Sequence, residues 1–380
     1  MAQGKKIFFL SPGPKYNLEH VFAKRCDMLS RDFYGTVLTA GPESKRVRYG
    51  RIDIHCIAEK KPRSLKSTLG FLVLGFRYLY RAKKNKEPYD LFITYDPLKT
   101  GLLGAILCWI FDVKLVTEVN GDYTDDTIYM DIENPLKRRF KKFSMTTVEK
   151  YVLKKADGIK LLYDGQVDSF KPFPRNPVVV RFQDFVDANR FVNLREDKVV
   201  LIAGYPFWVK GVDVLIEAFK IASPSYPEWK LKILGHYPDQ EFLEHYIQGD
   251  PKIFHHPPVD PDFMPEHIGC CGIFVLASRT EAMGRVLLES MAAGKPRIGA
   301  NVGGIPSVIE DGKDGLLFQK ASSVDLAEKL KLLMGDSALR RKLGENARRR
   351  YEKEFLPDYY FDLLSQFYKG CLKEKKVDES

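Results

Sequence analysis

Glu281 and Glu289 are the residues of this chain whose type and spacing point most directly to chemistry. They lie in the stretch from Ser278 to Pro296, with seven residues between them. The apolar run Ile273 to Ala277 reads as a buried strand of a parallel sheet. A polar turn follows, then a small-residue step at Gly284, then a helical pattern from Val286 to Ala293 that Gly294 and Pro296 bring to a stop. Glu281 therefore belongs to the loop at the carboxyl end of a strand, and Glu289 to the first turns of the next helix. Open α/β sheets bind ligands at the carboxyl ends of their strands. The helix start beside Gly284 and Arg285 offers free N–H groups, that of Val286 among them, and a positive dipole end to an anion. The pattern suits a phosphorylated ligand, with one carboxylate at its reacting end and one farther back. A bare glutamate pair at this spacing also occurs on solvated helix faces.

A second strand-to-helix step carries a cation. Val199 to Ala203 reads as a strand ending at Gly204, and Lys210-Gly211 opens a helical stretch from Val212 to Ala222. A lysine beside a glycine at a helix start is a natural diphosphate contact, the alternative being a solvated surface lysine.

The elements that position these groups follow from the whole chain. Its 380 residues suggest two domains or three small ones, and 44% hydrophobic content is normal for a protein with a sizeable core. A net charge of +10 points to an anionic partner: phosphates, nucleic acid or a membrane surface. Lys5-Lys6 precedes an apolar run too short for a signal peptide, and Gly101 to Phe111 is too short to span a bilayer. Cys26, Cys56, Cys108, Cys270, Cys271 and Cys371 show no metal spacing, so reduced thiols in a cytoplasmic protein are expected. His255-His256 beside a strand reads as structural, and no metal site is expected. Asp122, Asp125-Asp126 and Asp131-Ile132-Glu133 read as solvated loop carboxylates.

Strand-like runs at Lys6 to Ser11, Thr36 to Thr39, Leu91 to Tyr95, Val113 to Val119 and Ile159 to Tyr163 alternate with amphipathic stretches such as Asn17 to Arg31 and Thr146 to Lys155. The rhythm restarts after Asp187 with Val199 to Ala203, Leu231 to Leu234, Ile253 to His255 and Ile273 to Ala277. This is the βαβ alternation of two Rossmann-like, doubly wound α/β domains, divided near Phe182 to Asp187. The expected domains are 1–185, 186–350 and a crossing helix with a frayed tail over 351–380.

The stretch around Glu281 and Glu289, continued by Val302-Gly303-Gly304-Ile305-Pro306 and Glu310-Asp311-Gly312-Lys313-Asp314-Gly315, resembles the donor-site motif of the GT-B glycosyltransferases, specifically the retaining group numbered family 4. The likeness is strong over residues 199 to 318 and architectural before that. It implies two domains facing across a cleft, with residues 1–185 on the acceptor side and 186–350 binding the donor. It implies that Glu281 orients the donor sugar, that Glu289 accepts from the ribose hydroxyls, and that Lys210 meets the leaving diphosphate. Gly204, Gly211, Gly284, Val286 and Arg285 complete the donor site, Arg285 replacing an arginine whose usual position holds Tyr205. In such enzymes the anomeric configuration is retained, a leaving-phosphate oxygen is thought to take the acceptor proton, and neither metal nor cofactor is required.

The first domain departs from the family pattern. Its opening loop around Gly13 lacks the usual paired glycines. Asn120 stands where many members have a histidine, and it cannot act as a base near neutral pH. Asp96 either meets substrate or caps the helix after Pro97. Two basic, aromatic-rich stretches, Lys60 to Lys86 and Lys137 to Phe143, suit an anionic membrane surface or a solvated helix face. No nucleic-acid module is visible.

The expected protein is a cytoplasmic, peripherally membrane-associated hexosyltransferase that uses a UDP- or GDP-sugar and a lipid-linked glycan acceptor in cell-surface polysaccharide synthesis. The alternatives are a nucleotide-sugar-binding subunit that partners another transferase, and a GT-B sugar-nucleotide epimerase.

Overall fold

A computed structural model of the chain describes residues 4–12, 21–59, 65–130, 132–186, 189–236 and 240–373. It divides into two units: Met1–Thr124, Ile132–Phe182 and Tyr360–Ser380 form the first, Asp125–Asp131 and Gln183–Tyr359 the second.

The first unit is built on eight strands: β1 (Lys5–Leu10), β2 (Phe33–Gly41), β3 (Lys45–Tyr49), β4 (Ile52–Ala58), β5 (Leu91–Thr94), β6 (Lys114–Glu118), β7 (Gly158–Leu161) and β8 (Val178–Arg181). They lie in the order β3-β4-β2-β1-β5-β6-β7-β8. All pairs are parallel except the antiparallel β3–β4 hairpin. Central strands such as Leu91–Thr94 are buried at every residue, because helices cover both faces of a parallel sheet. One core beneath the helices Leu65–Lys84, Lys99–Phe111 and Pro135–Lys155 gathers Phe8, Phe71, Phe92, Leu107, Leu115 and Val152. The third of these helices begins where Asn134 accepts from the N–H groups of Leu136 and Lys137 and Pro135 sits in the first turn.

The last helix, Pro357–Leu372, joins the first unit from Tyr360 onward. A buried network holds it there. The Tyr368 hydroxyl donates to Glu118 at 2.8 Å, and Arg25 donates to Glu118 and to the Tyr368 oxygen.

The second unit has six parallel strands: β9 (Val199–Ala203), β10 (Lys230–Leu234), β11 (Ile253–His256), β12 (Ile273–Leu276), β13 (Arg297–Ala300) and β14 (Leu316–Phe318), in the order β11-β10-β9-β12-β13-β14. The order reverses between β9 and β12, which makes that gap the topological switch point where open sheets bind ligands. Helices Val212–Ala222 and Arg285–Ala292 come after these two strands.

The doubly wound α/β class is therefore as the sequence led us to expect, and the nine strand-like runs all fall on strands. The hairpin β3–β4, the four-residue β13 and the edge strands β8 and β14 show no such signal, being short or alternating rather than continuously apolar. The helical stretch read from Thr146 begins much earlier, at Pro135, because its first half is too basic to show an apolar period. All six cysteines are free and buried.

Candidate active site

The loops that leave β9 and β12 converge at the switch point. The Lys210 ammonium lies 2.6 Å from Glu281 Oε2, both side chains being largely buried. The Ser278 hydroxyl donates to the same oxygen at 3.3 Å. Gly204 leaves room for the lysine stem, which passes 3.2 Å from where a β-carbon would stand. A cation and a carboxylate are thus held side by side at the carboxyl ends of adjacent strands.

The residues that hold the two loops together carry no signal in the sequence. Arg279 forms a bidentate pair with Asp213, at 2.8 and 2.6 Å, and also donates to the Trp208 carbonyl. Its guanidinium lies 4.5 Å from the Trp208 ring centroid, and its backbone N–H donates to Val209. A planar fork that pairs and stacks at once fixes geometry better than a point charge would. An arginine two residues before Glu281 and an aspartate three after Lys210 are visible in the chain, but no spacing rule connects them.

Two glycines are required by close approach. Gly211 has φ +66°, and a β-carbon there would stand 2.0 Å from the Ala277 carbonyl oxygen. Gly303 has φ +49°, and its β-carbon would stand 2.0 Å from the Glu281 carbonyl oxygen. That same carbonyl accepts from the Gly304 N–H at 3.0 Å. The Gly-Gly-Ile-Pro turn therefore cradles the Glu281 backbone, which accounts for its place behind the glutamate motif.

Gly284 is the N-cap of the helix Arg285–Ala292, so Arg285 and Val286 open that helix with the N–H groups that lack intrahelical acceptors. Arg285 is exposed and Glu289 partly buried. Burial pushes the Glu289 carboxyl up to about 7, against the opposing pull of Arg285 and Arg190. Tyr205 is exposed, with its ring centroid 6.0 Å from that of His236.

The acidic loop does not consist of plain solvated carboxylates. Asp125 caps the short 3₁₀ helix Asp126–Tyr129 by accepting from Thr127 N at 2.8 Å. Burial would raise its pKa, but hydrogen bonds from Thr280 and Thr127 outweigh that and hold it below the usual range. Thr280 adjoins Glu281, so this segment supports the same loop. Asp122 is likewise bound, accepting from Thr124 and from the Tyr163 hydroxyl.

In the first unit Asn120 lies just after β6 and donates its amide to the Tyr95 carbonyl at 2.6 Å. Asp96 lies just after β5 and accepts from Leu98 N, Thr100 N and the Thr100 hydroxyl, so its carboxylate holds the start of the helix Lys99–Phe111. Gly13 lies outside the described residues. His255 binds the Gly235 carbonyl at 2.9 Å, a structural contact. Among the described residues no three His, Cys, Asp or Glu side chains stand close enough to hold a metal ion. No described helix is long and apolar enough to cross a membrane.

Two doubly wound parallel-sheet units define the GT-B fold, and solved structures of that fold superpose over nearly the whole chain. Residues 186–350 match the glycosyl transferases group 1 family. Among curated relatives, the chain is 33% identical over 146 residues to sulfoquinovosyl transferase SQD2 of Arabidopsis thaliana, a match covering 38% of this chain and only 28% of that protein. It is 28% identical over 292 residues to an uncharacterized glycosyltransferase of Methanocaldococcus jannaschii, covering 74% of this chain and 77% of the other. Sucrose-phosphate synthase from Thermosynechococcus elongatus superposes with a TM-score of 0.75 at 17% identity, covering 96% of this chain and 98% of its own. Anabaena HepE in complex with UDP-glucose gives 0.69 at 15% identity, covering 96% and 99%. At these identities the structural likeness establishes the fold alone.

Proposed function

We propose that the protein is a retaining, metal-independent hexosyltransferase. It moves a sugar from a UDP- or GDP-linked donor to a lipid-linked glycan acceptor in cell-surface polysaccharide or glycoconjugate synthesis. The observation that carries this reading is the Lys210–Glu281 pair at the β9/β12 switch point.

The chemistry asks little more of the protein than placed charge. As the bond between the anomeric carbon and the diphosphate oxygen breaks, the electron pair goes to the diphosphate. Preorganised donors that meet this developing charge lower the barrier most. Lys210, Arg285 and the first N–H groups of the helix Arg285–Ala292 suit that role. Glu281 accepts from hydroxyls of the donor sugar, and Glu289 from those of the ribose. The acceptor oxygen bonds the anomeric carbon on the departing face, and its proton passes to a leaving-phosphate oxygen. No side-chain base is needed, which is compatible with Asn120 after β6. Asn120 and Asp96 are assigned to the acceptor side.

A thermal-shift panel of UDP, GDP and ADP identifies the base, and a radiolabelled donor with membrane extract then reads transfer. Glu281→Ala is expected to abolish transfer while nucleotide binding survives. Wild-type turnover in that variant overturns the site assignment. Nucleotide binding by the wild type without transfer or hydrolysis favours a subunit that partners another transferase.

A further inference from the structure

The helical layer of the first unit carries an outer face that the donor chemistry does not use. On the helix Leu65–Lys84 the exposed residues Leu69, Val73, Phe76 and Tyr80 recur at i, i+4, i+7 and i+11, so they form one stripe. Such a stripe ordinarily faces a core, yet Leu69 is 61% exposed and Tyr80 54%. The inward side of the helix is separately occupied, with Phe71, Leu79 and Ala82 in the core. This helix is apolar on two sides.

The apolar face continues across the layer. The Phe76 ring stacks on Tyr80, with centroids 6.2 Å apart, and meets Phe111 of the next helix at 5.0 Å. On that helix Trp109 is 83% exposed. The helix Pro135–Lys155 repeats the pattern, with Leu136, Phe140 and Phe143 at i, i+4 and i+7 and all of them exposed. Its inner residue Val152 lies in the same core as Phe71 and Leu107, so the three helices share one layer.

Charge says what covers this face. Arg77, Arg81, Lys83 and Lys84 border the first stripe, and Lys137, Arg139 and Lys141 the second, all exposed. The helix Leu65–Lys84 contains no acidic residue, and the lone acid of Pro135–Lys155, Glu149, is buried. Asp112, which ends the middle helix, is an acidic exception beside Trp109. Apolar and aromatic stripes flanked by lysine and arginine suit the boundary between headgroups and acyl chains of an anionic bilayer. A protein partner of matching charge would have to bring both acids and a broad apolar surface, whereas an anionic bilayer supplies both everywhere.

We propose that this face, formed by the helices Leu65–Lys84, Lys99–Phe111 and Pro135–Lys155, docks on an anionic lipid bilayer without crossing it. Tyr80, Trp109, Phe140 and Phe143 enter the headgroup boundary, and the flanking cations meet the lipid charge. The proposal stands independently of the donor chemistry.

The test is co-sedimentation of the full chain with vesicles of phosphatidylcholine alone and of phosphatidylcholine with phosphatidylglycerol. Binding is expected to the mixed vesicles, to weaken as salt rises, and to be far weaker on the neutral ones. The quadruple variant Phe76→Ser, Tyr80→Ser, Phe140→Ser, Phe143→Ser is expected to partition at least about tenfold less. It should keep a cooperative melt and the nucleotide thermal shift, losing only the ring contacts of Phe76 with Tyr80 and Phe111. Failure to bind mixed vesicles, or equal binding by wild type and quadruple variant, overturns the proposal. So does a lipid-free dimer that the substitutions dissolve, because a second copy would then be the occupant.

Discussion

The Lys210 ammonium and the Glu281 carboxylate stand 2.6 Å apart, although 71 positions separate them in the chain. The pair bridges the two strands at which the second sheet changes direction. Under the proposed function, a donor diphosphate would meet there a lysine already oriented by its neighbour. Lys210→Ala is therefore expected to lower kcat by about 10²–10³-fold, the usual effect of removing one donor to a developing oxyanion. Steady-state kinetics with saturating donor checks this, and an unchanged kcat would remove Lys210 from the chemistry.

Arg279 and Asp213 act by positioning. Their pairing ties the loop after β9 to the loop after β12, and both side chains are nearly buried. Losing one partner strands the other charge. Arg279→Ala should cost about 2–4 kcal/mol in urea unfolding. Arg279→Lys keeps the charge but loses the fork and the stacking on Trp208, so KM for the donor should rise with a smaller stability loss. Identical behaviour of the two variants would contradict a geometric role.

Gly303 and Gly370 make a controlled comparison. Gly303→Ala places a methyl against the Glu281 carbonyl at a positive φ, so we expect a loss of about 1–3 kcal/mol together with a marked fall in transfer. Gly370 lies inside the last helix, with nothing within 4 Å of a built β-carbon. Gly370→Ala should stabilise by about 0.5–1 kcal/mol through helix propensity. Thermal melts and activity on the two proteins separate a site-specific clash from a general glycine effect.

Glu289 sets a pH dependence. With its carboxyl at about 7 in the free protein, it is half protonated near neutrality. If it accepts from ribose hydroxyls, the ionised form binds better, so donor affinity should rise from pH 6 to pH 8. A nucleotide-sugar is the right probe, because its phosphates do not titrate in that range. Glu289→Gln should flatten the profile, and a slope surviving in that variant would place the titration elsewhere.

Glu149 affects stability instead. Burial, with a further push from Asp122, raises its carboxyl to about 8. One of its oxygens is buried without a hydrogen-bond partner. The sign comes from linkage: an acid whose folded pKa lies above its unfolded value, about 4.5, stabilises fully below that value and loses the contribution as pH rises through 8. Wild-type melting temperature should fall between pH 6 and pH 9, and Glu149→Gln should fall less. Parallel curves would show that the buried carboxyl is not the cause.

The sequence alone determined the α/β alternation, the β9 and β12 strands, and the glutamate helix that opens at Gly284. These are local: continuous apolar runs specify buried strands, and a glycine step ahead of a 3.6-residue apolar period specifies a helix start. Only the tertiary structure decided which distant groups meet. The fork of Arg279 on Asp213 and the seat of the Glu281 carbonyl on Gly303 each join segments that the order of the second sheet brings together, and no period or spacing encodes sheet order. The same holds for the outward apolar stripe of Leu65–Lys84. From its sequence this stretch reads as basic and aromatic-rich, suited equally to a membrane surface or to a solvated helix face. Which side is core is settled by the strands it covers, and the other side is left for a surface to meet.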